Sequence, residues 1–246
     1  MLEVGPGPGL LTRHLLAAGA AVVAVEIDPA MRQVAQELVE PELWAGDLTW
    51  VEADAMAGPR TVSEALRSVL PGCSALVANL PYAIAAPLLA ALACEVDGPP
   101  RQVVMIQKEL GQRLSALPGG RDYGPLAVVM ALSSHVKVLR KVPAQAFWPP
   151  PKVESSVLGI QRRADWPGAE RLQSLQTFLS LAFHNRRKTL LNSVAEATNG
   201  SASDVQEALQ LQENEQKRRA EAFPALQLHD LARKWAESAL GERYRP

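Results

Sequence analysis

The sequence is short of the features that mark several large protein classes. Only 5% of its 246 residues are aromatic, and it has two cysteines, Cys73 and Cys94. Both sit in apolar surroundings without metal-ligand spacing. They read as buried thiols in a reducing cytosol, not as a disulfide framework or a zinc motif. The four histidines, His14, His135, His184 and His229, are scattered, so no metal site is expected. No apolar run approaches the roughly 20 residues that span a bilayer. The apolar start is interrupted at once by Glu3 and glycines, so no secretory signal is expected. Internal repeats and low-complexity tracts are also missing. These gaps leave a cytoplasmic globular protein with no membrane partner.

Basic residues are scarce where acidic ones abound. Residues 1–100 carry 4 Lys/Arg against 12 Asp/Glu, whereas residues 101–163 carry 10 against 3. The net charge of -1 hides this asymmetry. A basic cluster of this kind either forms one face for a polyanion or is an ordinary solvated surface, and charge alone does not separate the two.

The first two thirds alternate apolar strands with helices. Leu2–Val4 reads as a strand, Leu10–Ala18 as a helix and Ala20–Ile27 as a fully buried strand. Pro29 opens a helix to about Val39, as proline does at a first helical position. Short strands are expected around Trp50–Ala53 and at Ser74–Asn79, a helix at Ala83–Cys94 and a strand at Gln102–Gln107. That alternation implies a parallel sheet with helices on both faces, a Rossmann-like α/β fold. A helix at Gly124–Ser134 and two strands, Val136–Val142 and Val153–Gln161, follow. After a linker at Ala164–Gly168 everything reads as helical: Ala169–Asn185, Arg187–Ala197, Ser203–Leu211, Gln216–Phe223 and Leu226–Leu240. Ser203 with Gln206 matches a capping box. The expected domains are 1–164, an α/β domain, and 165–246, a small all-helical one.

Two motifs carry chemistry. The first is Glu3-Val4-Gly5-Pro6-Gly7-Pro8-Gly9, between a strand and a helix. Such a turn sets bare backbone and N–H groups beside a ligand. Gly5, Gly7 and Gly9 follow a Gly-x-Gly-x-Gly spacing rather than the dinucleotide Gly-x-Gly-x-x-Gly, which fits a ligand without phosphates. Glu26 closes the second strand and can accept from both hydroxyls of a ribose. Asp54 follows the third strand and can accept from an adenine amino group. Their plainer readings are a solvated strand end and a helix N-cap.

The second motif is Asn79-Leu80-Pro81-Tyr82, 70 residues after Gly9. This box is used by enzymes that methylate an exocyclic or amide nitrogen. An adenine amino nitrogen is a poor nucleophile because its lone pair is delocalised into the ring. Asn79 offers a side-chain carbonyl to its N–H groups. Leu80 offers a main-chain carbonyl, which Pro81 holds extended, and Tyr82 offers a flat face for stacking. No early general base is needed, so catalysis is orientation and electrostatics. The plainer reading is a strand-ending turn. A base in a duplex cannot reach such a pocket, so the substrate is unpaired or flipped out. Phe147 is the candidate for a second stacking aromatic, or else a core aromatic.

Four segments together resemble the small-subunit ribosomal RNA adenine dimethyltransferases, the bacterial kasugamycin-sensitivity methylase family. They are Glu3–Thr12, Asn79–Tyr82, Phe147-Trp148-Pro149-Pro150-Pro151-Lys152-Val153-Glu154-Ser155 and Ala182-Phe183-His184-Asn185-Arg186-Arg187-Lys188-Thr189-Leu190. The resemblance implies a Rossmann-like S-adenosylmethionine-dependent methyltransferase domain with a helical C-terminal domain. It implies dimethylation of two adjacent adenines in the 3′-terminal hairpin loop of 16S rRNA, in a pre-30S particle, by a monomer without metal. The donor contacts carried over are Gly5, Glu26, Asp54 and Asn79, within the turn completed by Gly7 and Gly9. Asn79, Leu80, Pro81, Tyr82 and Phe147 would hold the target adenine. Arg186, Arg187 and Lys188 would contact phosphates at the start of a helix, with Lys217, Arg218 and Arg219 as a second contact. The family also has a segment before the first strand, with a Gln-Asn-Phe-Leu-like motif over the donor. This sequence starts inside that strand, so a shortened chain is expected.

Rival hypotheses are the macrolide-resistance 23S rRNA adenine methyltransferases, which share the first two motifs, and enzymes acting on a DNA adenine or a glutamine amide. A third is a catalytically silent assembly factor that uses only its basic face.

Overall fold

The computed structural model describes residues 1–39, 47–147 and 149–244. Strand β1 (Leu2–Val4) runs into the glycine turn, from which α1 (Leu10–Ala17) departs. Strand β2 (Val22–Glu26) ends on Glu26, and α2 (Pro29–Leu38) starts almost at once. The Asp28 carboxylate accepts from the Ala30 N–H at 2.8 Å, and Pro29 fills the first helical position, so two local signals fix this start. After β3 (Leu48–Glu52) comes a small hairpin, β4 (Met56–Gly58) and β5 (Thr61–Val62), then α3 (Glu64–Val69), capped by Ser63. Strand β6 (Ala75–Asn79), α4 (Tyr82–Cys94) and β7 (Arg101–Gln107) follow, then α5 (Lys108–Leu114) and α6 (Pro125–Ser133). Strands β8 (Ser134–Val142) and β9 (Ser155–Arg162) close the α/β part.

One seven-stranded sheet has the order β3-β2-β1-β6-β7-β9-β8. The five strands from β3 to β7 are parallel, and β9 runs antiparallel to β7. The chain travels outward from β1 to β3, then returns to β6 on the other side of β1. The crevice at the carboxyl ends of β1 and β6 is therefore the switch point, where open α/β sheets bind ligands. At only three residues, β1 lies in the middle of the sheet, paired with β2 through Leu2–Val23, Glu3–Ala24 and Val4–Val25. All three of its residues are buried. Under α1 and α2, Leu16, Val22, Ala24 and Val39 form a core cluster, flanked by Leu48 and Trp50.

Contacts divide the chain into two compact units. One is Met1–Gly111 with His135–Arg162; the other is Gln112–Ser134 with Arg163–Pro246. The second unit contains α6 together with α7 (Ala169–Ala182), α8 (Leu190–Thr198), α9 (Ala202–Leu209), α10 (Ala225–Glu237) and α11 (Ala239–Glu242). It is thus not one contiguous stretch from residue 165. The apolar α6, with Val128, Val129 and Met130 at 1% exposure or less, packs on α7 and α10 and shares their core. Phe178 and Trp235 anchor that core, with ring centroids 6.2 Å apart.

Four local expectations change in the helical unit. Residues 216–223 form turns and one 3₁₀ turn at Ala220–Ala222, not an α-helix. There the Arg218 carbonyl accepts from the Leu190 N–H at 2.9 Å, and the Arg218 guanidinium lies 4.3 Å from the Phe223 ring centroid. The Leu190 bond, from outside the segment, and the Arg218–Phe223 contact within it outweigh its helix propensity. Helix α9 is capped by Ser201, whose hydroxyl accepts from the Asp204 N–H, rather than by Ser203. Helix α8 begins at Leu190 behind its cap Thr189, so residues 186–188 sit in a turn before it. The expected helix 226–240 breaks at Ser238, which caps α11 by accepting from the Gly241 N–H.

Candidate functional site

The glycine turn is shaped by three left-handed residues: Gly5, Gly7 and Gly9 have φ of +68°, +54° and +78°. Gly5 needs glycine for a second reason. A Cβ built there would lie 2.7 Å from Cγ and 2.9 Å from Cδ of Pro81. The turn and the Asn79–Tyr82 box, which the sequence separates widely, are in direct contact. A Cβ on Gly7 would meet nothing within 4 Å, so the tip of the turn faces open space that a ligand can occupy.

Two carboxylates hold this turn. Glu26, 7% exposed, accepts from the Gly7 N–H through Oε2 at 3.1 Å and from the Asp28 N–H through Oε1 at 3.0 Å. Each oxygen keeps a lone pair for a further donor, which suits paired ribose hydroxyls. Behind the turn, Glu3 is 1% exposed and accepts from the Thr12 hydroxyl at 2.7 Å. This bond runs from β1 to α1 beneath the loop. Burial pushes the Glu3 carboxyl up to about 7, against the lowering effect of Thr12.

Asp54 is exposed and follows β3, as expected. It caps no helix: its carboxylate accepts from the Met56 N–H at 2.8 Å, turning the chain into β4. The Ala53 N–H donates to the Glu26 carbonyl at 3.1 Å, which seats this segment beside the end of β2. Ile27, 61% exposed, offers an apolar surface next to Glu26. Sequence reasoning passed it over because it continues a run of buried strand residues.

The second half of the site starts where β6 ends. Asn79 pairs with Met105 of β7 and is exposed, and its side chain makes no hydrogen bond among the described residues. The Leu80 N–H donates to the Met105 carbonyl at 3.1 Å, and its side chain is 1% exposed. Leu80 thus fastens the box to the sheet, and its own carbonyl accepts no bond among the described residues. Pro81 caps α4, and Tyr82 is its first residue. The Tyr82 hydroxyl lies 2.9 Å from the Ser155 hydroxyl at the start of β9. Phe147 is half-buried in the connection from β8 to β9 and has no ring contact with Tyr82 among the described residues. Trp148 of the same motif lies outside the described residues.

The basic residues of 101–163 do not share one role. Arg162 is spent on the carbonyls of Glu95 and Val96, Lys108 on Glu154 and Arg163 on Asp165. Lys137, Arg140 and Lys141 are exposed along β8, the edge strand of the sheet. In the helical unit Arg186 donates to the carbonyls of Arg121 and Tyr123 at 2.9 Å and to Glu221 at 3.2 Å. Lys188 pairs with Glu196 at 2.9 Å, whereas the exposed Arg187 has no ion pair among the described residues. Arg218 lies over Phe223, and Arg219 is 3.9 Å from Glu221. Among the described residues no group of three or more His, Cys, Asp or Glu could hold a metal ion, and no helix is long and apolar enough to cross a membrane.

Known proteins resemble this chain over most of its length. A family model described as ribosomal RNA adenine dimethylase matches residues 1–234. A ribosomal RNA small subunit methyltransferase A from Phenylobacterium zucineum is 42% identical over 194 residues, covering 79% of this chain and 65% of the relative. Its namesake from Maricaulis maris is 35% identical over 236 residues, covering 95% and 80%. The chain therefore spans 65% of the length of the first of these relatives. A dimethyladenosine transferase structure from Plasmodium falciparum matches at a TM-score of 0.72 and 23% identity, covering 96% and 89%, and shares the fold. A Rossmann-like sheet whose glycine turn meets an Asn-Leu-Pro-Tyr box, matched by one family model from residue 1 to 234, places the chain in the ribosomal RNA adenine dimethylase family.

Proposed function

We propose that this chain carries out S-adenosylmethionine-dependent N6,N6-dimethylation of two adjacent adenines in the 3′-terminal hairpin loop of 16S rRNA. The observation that carries the proposal is the contact of Gly5 with Pro81, which sets a donor turn against an amine-methylating box. S-adenosylmethionine supplies an electrophilic methyl group when bound. Its ribose would be held by Glu26, its adenine edge by Asp54, and its remaining length by the backbone of Gly5, Gly7 and Gly9 with Asn79.

The target adenine would be held by Asn79 and the Leu80 carbonyl, which both have free acceptor capacity. Two acceptors on one amino group turn its lone pair toward the methyl group, and this orientation replaces a general base. Tyr82 and Phe147 would stack on the extruded base. These groups all lie in the α/β unit, residues 1–111 and 135–162, the proposed catalytic domain. Docking on a pre-30S particle falls to residues 165–246, with Arg187 as the leading phosphate contact of the Arg186–Lys188 run. The protein would act as a cytoplasmic monomer.

The test is to incubate the chain with labelled S-adenosylmethionine and undermethylated 30S subunits and to map the label. Label in the 3′-terminal hairpin is expected, and Asn79→Ala should reduce its rate by about a hundredfold or more. Binding of the subunits without any transfer would overturn the proposal in favour of a silent assembly factor. Label confined to 23S rRNA would favour the macrolide-resistance chemistry.

A further inference from the structure

Tyr82 and Ser155 are 73 residues apart in the sequence, yet their hydroxyl oxygens lie 2.9 Å apart. Ser155 is fully buried at 0% exposure, opposite Gln107 of β7. Tyr82 is 37% exposed at the head of α4. A buried hydroxyl left without a partner costs about 1–3 kcal/mol. The bond is therefore not readily exchanged for water on the Ser155 side. The residue before Ser155 is fastened too: the Glu154 carbonyl accepts from the Lys108 N–H at 3.0 Å, and its carboxylate pairs with the Lys108 ammonium at 2.6 Å.

The Tyr82 ring is consequently held at both ends. Its backbone follows Pro81, whose ring abuts Gly5, and its phenol tip ends on a rigid strand. A bond at the phenol tip restrains the first side-chain torsion, so holding both ends fixes where the ring sits. A partly exposed aromatic held in this way is poor at filling a core and well suited to act as a wall.

We propose that Ser155 is a positioning residue of the acceptor site: its hydroxyl fixes the position of the Tyr82 ring on which the substrate base stacks, without itself touching the base. The proposal rests on Asn79–Tyr82 being the acceptor box. Ser155 belongs to the strand reached through the connection that carries Phe147, so one bond ties together the two segments proposed to grip the base. A misplaced wall displaces the reacting nitrogen, and a displacement near 1 Å can cost about a hundredfold in rate.

The experiment compares Tyr82→Phe, Ser155→Ala and the double variant with the parent chain. It measures kcat and KM on undermethylated 30S subunits, donor affinity by calorimetry and thermal melting. The expected result is a loss of about tenfold in kcat for each single variant and no further loss in the double. Donor affinity should stay within about twofold of the parent. Should Ser155→Ala fail to fold, Tyr82→Phe tests the same bond from the other side while keeping the ring. The idea is overturned if kcat is unchanged in the foldable single variants, or if their losses multiply in the double. A parent chain that transfers no methyl group would remove the acceptor-box assignment itself, and this proposal with it.

Discussion

Pro81 closes against Gly5 so tightly that glycine is the one residue the contact admits: a Cβ there would sit 2.7 Å from the proline ring. Gly5 belongs to the turn after β1 and Pro81 to the box after β6, and the two strands are neighbours. Pairing of β1 with β6 is what brings the two motifs together.

Gly5→Ala should therefore injure both halves of the site. Its φ of +68° strains any side chain, and the collision adds to that strain. A stability loss of about 1–3 kcal/mol is expected, with donor affinity reduced at least about tenfold. Gly7→Ala carries the strain without the collision. It should melt nearer the parent chain while still weakening donor binding, because its methyl projects into the open space. Calorimetry beside melting curves separates the two, and equal melting of both variants would refute the tight contact.

Glu26→Gln should keep the fold and lose the donor. The amide retains one accepting oxygen and turns an NH₂ toward an N–H, from Gly7 or from Asp28. Donor affinity is expected to fall about tenfold or more, the scale of a charge-assisted hydrogen bond. An unchanged dissociation constant would remove Glu26 from the donor site.

Glu3 should make stability depend on pH. Its folded value is raised to about 7 from 4.5, so the folded chain binds more protons than the unfolded one between those values. The contribution is fully present below about 4.5 and is lost as pH rises toward about 7, amounting to about 3 kcal/mol. Glu3→Gln is neutral throughout and should flatten this part of the stability curve, measured by urea unfolding from pH 4.5 to 8. An equal slope in both proteins would disprove the assignment.

Arg186 and Arg187, adjacent in sequence, should behave differently. Arg186 is bonded to the carbonyls of Arg121 and Tyr123 and to Glu221. Its replacement by Ala should destabilise the helical unit by about 1–2 kcal/mol. Arg187→Ala should leave melting unchanged, weaken binding to 30S subunits and reduce the salt dependence of that binding. The opposite pattern would reverse the two assignments.

Much of this was legible in the sequence because it is local. Alternation of apolar strands with helices gave the order of the main elements to within a few residues, Pro29 marked the start of α2, and the glycine turn and the Asn79–Tyr82 box are contiguous motifs whose chemistry follows from residue type. Short elements escaped notice. The hairpin of β4 and β5 and the helices α3 and α5 are too brief to show a periodicity.

What the sequence determined by itself was thus the alternation of elements, the two motifs and the chemistry those residues can perform. Tertiary structure alone decided which residues meet. Three residues make a central strand only because β2 and β6 flank them on both sides. Residues 216–223 have helical composition, yet a bond from Leu190 to the Arg218 carbonyl helps draw them into turns. Ser155 acquires a role only when β9 sets it against Tyr82, and Arg186 ceases to be a free cation only when residues 121–123 fold over it. Local hydrogen bonding and apolar periodicity are written into neighbouring residues, whereas these contacts join segments whose separation no local pattern encodes.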